Sequence, residues 1–206
     1  MKKLVRNSML VGAAVLGIGS LGAVAQAATT PAPSATTPAP SVTSTSTADI
    51  TPGKITLSSV PSFQFGTVAA SANDISYTST STSGSLNFLN IADAGTGTGY
   101  TVTVAASPFT AKGGATLKNA QLLLDNKETD PITADDVDNV STPPTLFAKL
   151  SLSSDPVTVV SAKAGSGVGA YTVTYGSTDA SLKVPAGNIG GSYSSTLTWT
   201  LANAPA

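Results

Sequence analysis

The sequence contains no cysteine and no histidine. Disulfide staples, thiolate and imidazole metal sites, and Cys–His or Ser–His–Asp catalysis are therefore excluded. Cohesion must come from apolar burial alone, which a domain of about 150 residues can supply. Charged residues make up only 10% of the chain, and Trp199 is its one tryptophan. Amphipathic helices need Lys, Glu and Arg for their wet faces. Gly, Ser, Thr, Ala and Val dominate instead and favour short strands and turns. Arg6 is the only arginine. If Lys2, Lys3 and Arg6 leave with a cleaved leader, seven of the ten basic residues remain against eleven acids, a net charge of -4. Such a chain lacks the basic contacts that nucleic acid requires. It is equally ill-suited to electrostatic capture by anionic wall polymers or lipid.

What is present falls into three segments. Residues 1–27 read as a secretory signal peptide: a basic start, an apolar run from Met9 to Val24, and Ala25-Gln-Ala27 as the small-residue cleavage site. The run is short and glycine-rich for a spanning helix, so cleavage after Ala27 is expected. No cysteine follows it, which excludes a lipoprotein anchor. Residues 28–50 form a Thr/Pro/Ala/Ser-rich linker, in which Thr29-Thr-Pro-Ala-Pro-Ser34 recurs as Thr36-Thr-Pro-Ala-Pro-Ser41. It is expected to be disordered and extended, a spacer or a glycosylated stalk. Residues 51–206 carry the domain.

Strand-like runs follow at spacings of about 8–15 residues, punctuated by Gly and Pro. They are Lys54–Pro61 leading into Phe63–Gly66, Leu86–Ile91, Tyr100–Phe109, Leu117–Leu124, Thr145–Leu150, Val157–Val160, Tyr171–Tyr175, Leu182–Pro185, and a last strand from Tyr193 to Leu201 closed by Pro205. The pattern predicts an all-β fold, an antiparallel β-sandwich of Ig-like or Greek-key type. Thr101/Thr103, Thr172/Thr174 and Thr196/Thr198/Thr200 alternate with apolar residues, which predicts a threonine-covered outer face. In the last strand Tyr193, Leu197, Trp199 and Leu201 share the opposite face. Trp199 there is either core or a stacking platform for a ligand such as a sugar ring.

Other constellations are weaker. Asp93-Ala-Gly-Thr-Gly-Thr-Gly99 lacks the G-K-[ST] ending and the helix of a phosphate-binding loop. Six of the eleven acids lie between Asp125 and Asp138, but the spacing matches no EF-hand, so a solvated loop is expected rather than a calcium site. With no nucleophile–base pair, metal constellation or cofactor loop, the chain reads as non-catalytic, without cofactor or metal.

The C-terminal pattern Tyr193-x-x-x-Leu197-Thr198-Trp199-x-Leu201-x-x-x-Pro205 resembles the signature of the WxL family of Gram-positive surface proteins. Val60-Pro-Ser-Phe-Gln-Phe-Gly66, Asp93–Tyr100 and Ala164–Gly169 are similar to further stretches of that family. The family's distal W-x-L motif reads Tyr100-Thr101-Val102 here, and the arginine before it is absent. The resemblance implies a small WxL protein that attaches non-covalently to peptidoglycan or another wall glycan. Its implied contacts are Tyr100, Thr101, Val102, Tyr193, Leu197, Thr198, Trp199 and Leu201. It also implies partnership with other WxL proteins and with membrane-anchored WxL-interacting proteins. The alternative function is a structural subunit docking such a protein, with Tyr100 and Trp199 as core. The chain has no L-P-x-T-G sorting signal and no apolar tail, so retention at the surface is expected to come from binding.

Overall fold

The computed structural model describes residues 41–80 and 87–203. The expected signal peptide, most of the linker, Leu86 and Pro205 lie outside the described residues. The chain divides into two units, Met1–Thr47 and Ala48–Ala206. Of the first, residues 41–47 carry no regular secondary structure and have exposed side chains.

The second unit is all-β, with no helix among the described residues. Its strands are β1 (Ile55–Ser59), β2 (Ile75–Thr78), β3 (Phe88–Asp93), β4 (Tyr100–Ala106), β5 (Thr110–Ala111), β6 (Gln121–Leu124), β7 (Ile132–Ala134), β8 (Thr145–Leu146), β9 (Leu150–Leu152), β10 (Val157–Ala162), β11 (Gly169–Thr174), β12 (Ala180–Val184), β13 (Tyr193–Ser194) and β14 (Leu197–Ala202). They form three four-stranded antiparallel sheets, ordered β1-β3-β11-β7, β14-β4-β10-β8 and β2-β12-β6-β9, plus a β13-β5 ribbon. All three sheets supply one core: Leu89 and Ile91 from the first, Tyr100, Val102 and Val104 from the second, Leu122, Leu124 and Leu152 from the third. The period-two alternation explains this, since successive side chains of a strand leave on opposite faces. In β4 the odd positions Thr101 and Thr103 face away from the core, and Thr103 stands opposite Thr158 of β10 and Thr200 of β14.

Four sequence expectations are revised. Phe63–Gly66 is a loop rather than a strand. Phe63 and Phe65 are half-buried either side of exposed Gln64, and Gly66 turns the chain at φ 63°. Thr145–Leu150 is not one strand but two. Lys149 adopts φ 58°, the left-handed region that side-chain-bearing residues rarely occupy. This corner carries the chain from the second sheet (β8) to the third (β9). The final strand is also split. Tyr193–Ser194 pairs with β5, whereas Leu197–Ala202 pairs with β4 in unbroken register. Finally, the acidic stretch is not all loop: β7 lies within it and pairs with β11.

The two glycine-rich stretches meet at the start of β4. The Asp93 carboxylate accepts hydrogen bonds from Thr96 N–H (2.7 Å), Thr96 Oγ1 (2.9 Å) and Gly97 N–H (3.3 Å), and so closes the Asp93–Gly97 turn. Gly165 N–H donates to Gly97 O at 2.9 Å, which ties the second stretch to the first. Gly99 has φ 80°, and a Cβ there would stand 2.5 Å from Ala162 O and 2.8 Å from the Lys163 carbonyl carbon. Gly97 has φ 61° but open space around it. Gly97→Ala should therefore cost only the backbone strain, about 1–2 kcal/mol. Gly99→Ala adds a clash with backbone and should cost clearly more, about 3 kcal/mol or above. Denaturant unfolding of both variants checks this, and equal losses would contradict the packing described.

Candidate functional site: an uncharged aromatic cleft

A cleft of about 800 Å³ opens between the third sheet and the C-terminal strands. Its floor comes from residues brought into line by strand register. Leu182 of β12 stands opposite Tyr77 of β2 on one side and Leu122 of β6 on the other, with Val184 opposite Ile75. Leu197 and Trp199 of β14 form the facing wall. The Val60–Ser71 loop and the Pro185–Ser195 segment close the ends.

Both closing segments are held in place. Thr80 N–H donates to Gln64 O at 2.6 Å, and Tyr77 O–H donates to Ala69 O at 2.6 Å. Phe63 packs edge-on against Tyr175 (5.8 Å) and Phe65 against Phe109 (6.4 Å). Asn188 Oδ1 accepts from Lys118 N–H, while its amide donates to Lys118 O and Pro185 O. The Tyr193 hydroxyl donates to Ile189 O at 2.8 Å. Ser107 fixes the start of β14: its N–H donates to Thr196 O, its Oγ accepts from Thr196 N–H, and its carbonyl accepts from Ser195 Oγ.

Among the described residues no Lys, Arg, Asp or Glu lines the cleft. Phe63, Phe65, Phe109, Tyr77, Tyr193 and Trp199 supply ring surface, while Gln64 and several serines supply hydroxyl and amide groups. The volume is that of a small-molecule site. An apolar, aromatic surface with neutral polar groups suits a neutral ligand. Stacking and hydroxyl hydrogen bonds would carry its binding.

The residues expected to contact ligand divide into two places. Tyr193, Leu197 and Trp199 line the cleft. Trp199 is half-buried, with its Nε1 enclosed and without a hydrogen-bond partner among the described residues. Leu201 is half-buried against the core outside the cleft, and Thr198 is exposed on the opposite face of β14. Tyr100, Thr101 and Val102 are elsewhere, enclosed at 0%, 6% and 0% exposure. Tyr100 packs against Gly167, where a Cβ would stand 3.0 Å from its ring and 2.7 Å from Ala162 Cβ. Burial first, then the neighbouring Tyr171 and Asp93, pushes its hydroxyl well above the ordinary tyrosine range. Phe65, Phe109 and Tyr77 were not identified as site residues from the sequence. Their one signal was the shared face of Phe63 and Phe65. In the acidic stretch, Asp135 accepts from Thr172 Oγ1, and no group of three or more metal-binding side chains converges among the described residues.

The model of the WxL domain, described as surface cell wall-binding, matches residues 19–205. The chain belongs to the WxL family. No curated protein and no solved structure matches it. As a WxL domain it is a surface, cell-wall-binding protein, and that family is a binding rather than a catalytic one.

The hydroxyl of Tyr100 is buried and unpartnered among the described residues. Tyr100→Phe should therefore change stability little or raise it, because a buried donor without a partner carries its full desolvation cost. Tyr100→Ala should cost about 3–5 kcal/mol by leaving a cavity. Thermal unfolding of the pair separates the contributions of ring and hydroxyl. A large loss in the Phe variant would mean that the hydroxyl is bonded.

Proposed function

We propose that this WxL domain is a non-catalytic module that attaches non-covalently to peptidoglycan, with the cleft beside Trp199 as the contact. The supporting observation is the cleft's lining: aromatic and apolar walls, neutral hydrogen-bonding groups and, among the described residues, no charged side chain. Peptidoglycan offers neutral sugar rings and N-acetyl groups, whose faces are apolar and whose edges carry hydroxyls. Tyr193 and Trp199 stack on or bracket the rings, and Leu197 contacts the acetyl methyls. The family's wall-binding description agrees with this reading. Thr198 and Leu201 lie outside the contact and shape the strand that presents it. Tyr100, Thr101 and Val102 act from the core by fixing β4, on which β14 is laid. An export leader at residues 1–27 and a spacer at 28–50 belong to the same proposal: they would deliver the domain to the wall and hold it at a distance.

The test is co-sedimentation with peptidoglycan stripped of teichoic acid and protein. The wild type should pellet with the wall and do so nearly unchanged as salt rises, since screening weakens only charge-based attraction. Tyr193→Ala and Trp199→Phe should each lower binding while leaving the circular dichroism intact, and Tyr100→Phe should leave binding unchanged. A folded wild type that stays in solution, or that is released by moderate salt, would sink the proposal. Retention would then fall to the second function, docking to a membrane-anchored WxL-interacting protein.

A further inference from the structure

β14 is an edge strand. The second sheet runs β14-β4-β10-β8, and β4 is the only described strand paired with β14. Proteins blunt such edges with short strands, bulges, charge, proline or a covering segment. The other edges of the three sheets show these devices. β1 is bulged between Leu57 and Ser59, β7 and β9 have three residues each, and β8 has two. β2 is flanked by the Val60–Ser71 loop through the Thr80–Gln64 and Tyr77–Ala69 hydrogen bonds. Among the described residues β14 shows none of them. It runs for six residues in continuous register, from Leu197 opposite Ala106 to Ala202 opposite Thr101, with neither a charged residue nor a proline.

The sequence of β14 says which strand fits that edge. Leu197-Thr198-Trp199-Thr200-Leu201 reads the same in both directions about Trp199. A two-fold interface must be self-complementary, because the same patch meets itself reversed. Antiparallel pairing of two β14 strands about Trp199 sets Leu197 opposite Leu201, Thr198 opposite Thr200 and Trp199 opposite Trp199. Thr–Thr pairs then lie on one face and apolar or aromatic pairs on the other, which are favourable cross-strand neighbours, and no like charges meet. The chain's own Thr29–Ser41 segment is a poor competitor, since Pro31, Pro33, Pro38 and Pro40 cannot donate to a ladder.

We propose that two copies of this chain associate through antiparallel β14–β14 pairing centred on Trp199, giving a continuous eight-stranded sheet. Leu197 and Trp199 line the cleft, so the pairing sets the clefts of the two copies side by side at the two-fold axis. The threonine row Thr158–Thr103–Thr200 then continues into the neighbouring copy through its Thr198. This association is independent of wall binding and is measured without wall material.

Sedimentation velocity of the purified protein over a concentration series should show a monomer–dimer equilibrium. Thr198 and Thr200 are exposed, so charges placed there leave the fold intact. T198K/T200K sets lysine opposite lysine twice across the axis, and T198E/T200E does the same with glutamate. Each variant alone should lose the dimer while keeping the wild-type circular dichroism and Tm. Mixed one to one, the two should form a heterodimer. A wild type that remains monomeric at its highest soluble concentration overturns the proposal. So does a dimer that survives in both like-charge variants, because its interface then lies elsewhere. Failure of the charge-opposed variants to pair, with the wild type dimeric, overturns the register centred on Trp199.

Discussion

Tyr100 is held between two glycine-rich loops, and the sandwich depends on that contact. Its ring is fully enclosed and lies against Gly167 and Ala162, at the point where the Asp93–Gly99 turn delivers the chain into β4. Without disulfides, such close backbone approaches have to substitute for covalent ties. Larger residues at Gly99 or Gly167 would separate the loops and withdraw the ring. β4 is in turn the strand on which both β10 and β14 are laid. Enclosure of one aromatic therefore sets the position of the strand that walls the cleft, although Tyr100 is not part of it.

This division of labour explains why two motifs similar in type have different fates. Tyr100-Thr-Val102 begins a strand with neighbours on both sides, so both of its faces are shielded. Leu197-Thr-Trp199 lies on an edge strand, where one face meets the core only in part and the other meets solvent. Position in the sheet, rather than residue type, decides which aromatic is available for contact. Trp199 can thus be both a structural and a binding residue: its ring abuts the core cluster while lining the cleft.

Much of this was legible in the sequence, for identifiable reasons. Alternation in Tyr100–Ala106, Tyr171–Tyr175 and Leu197–Ala202 is long enough to indicate strands unaided, and scarce charge argued against helices. β2 and β7 were missed because they are short and surrounded by polar residues, so local pattern was drowned by context. The β8–β9 break was missed because it rests on a left-handed Lys149, and nothing about lysine announces a positive φ. Trp199 and Tyr193 stood out by rarity and spacing. Phe65, Phe109 and Tyr77 did not, because their convergence is set by the sheet register and the Ser107–Thr196 tie rather than by proximity in the chain. For Tyr100, the motif pointed toward ligand, while its own alternation with Val102 and Val104 already pointed inward.

The uncharged lining of the cleft also bears on the chemistry of its surroundings. Histidine is absent from the chain, and among the described residues no carboxylate or amine side chain lines the cleft. Acidification therefore finds no carboxylate to neutralise among the described residues that line it. A bacterial surface that sours its own medium would change the ionisation of its wall polymers and of most proteins around it. The face that this domain presents through the cleft would be the same before and after.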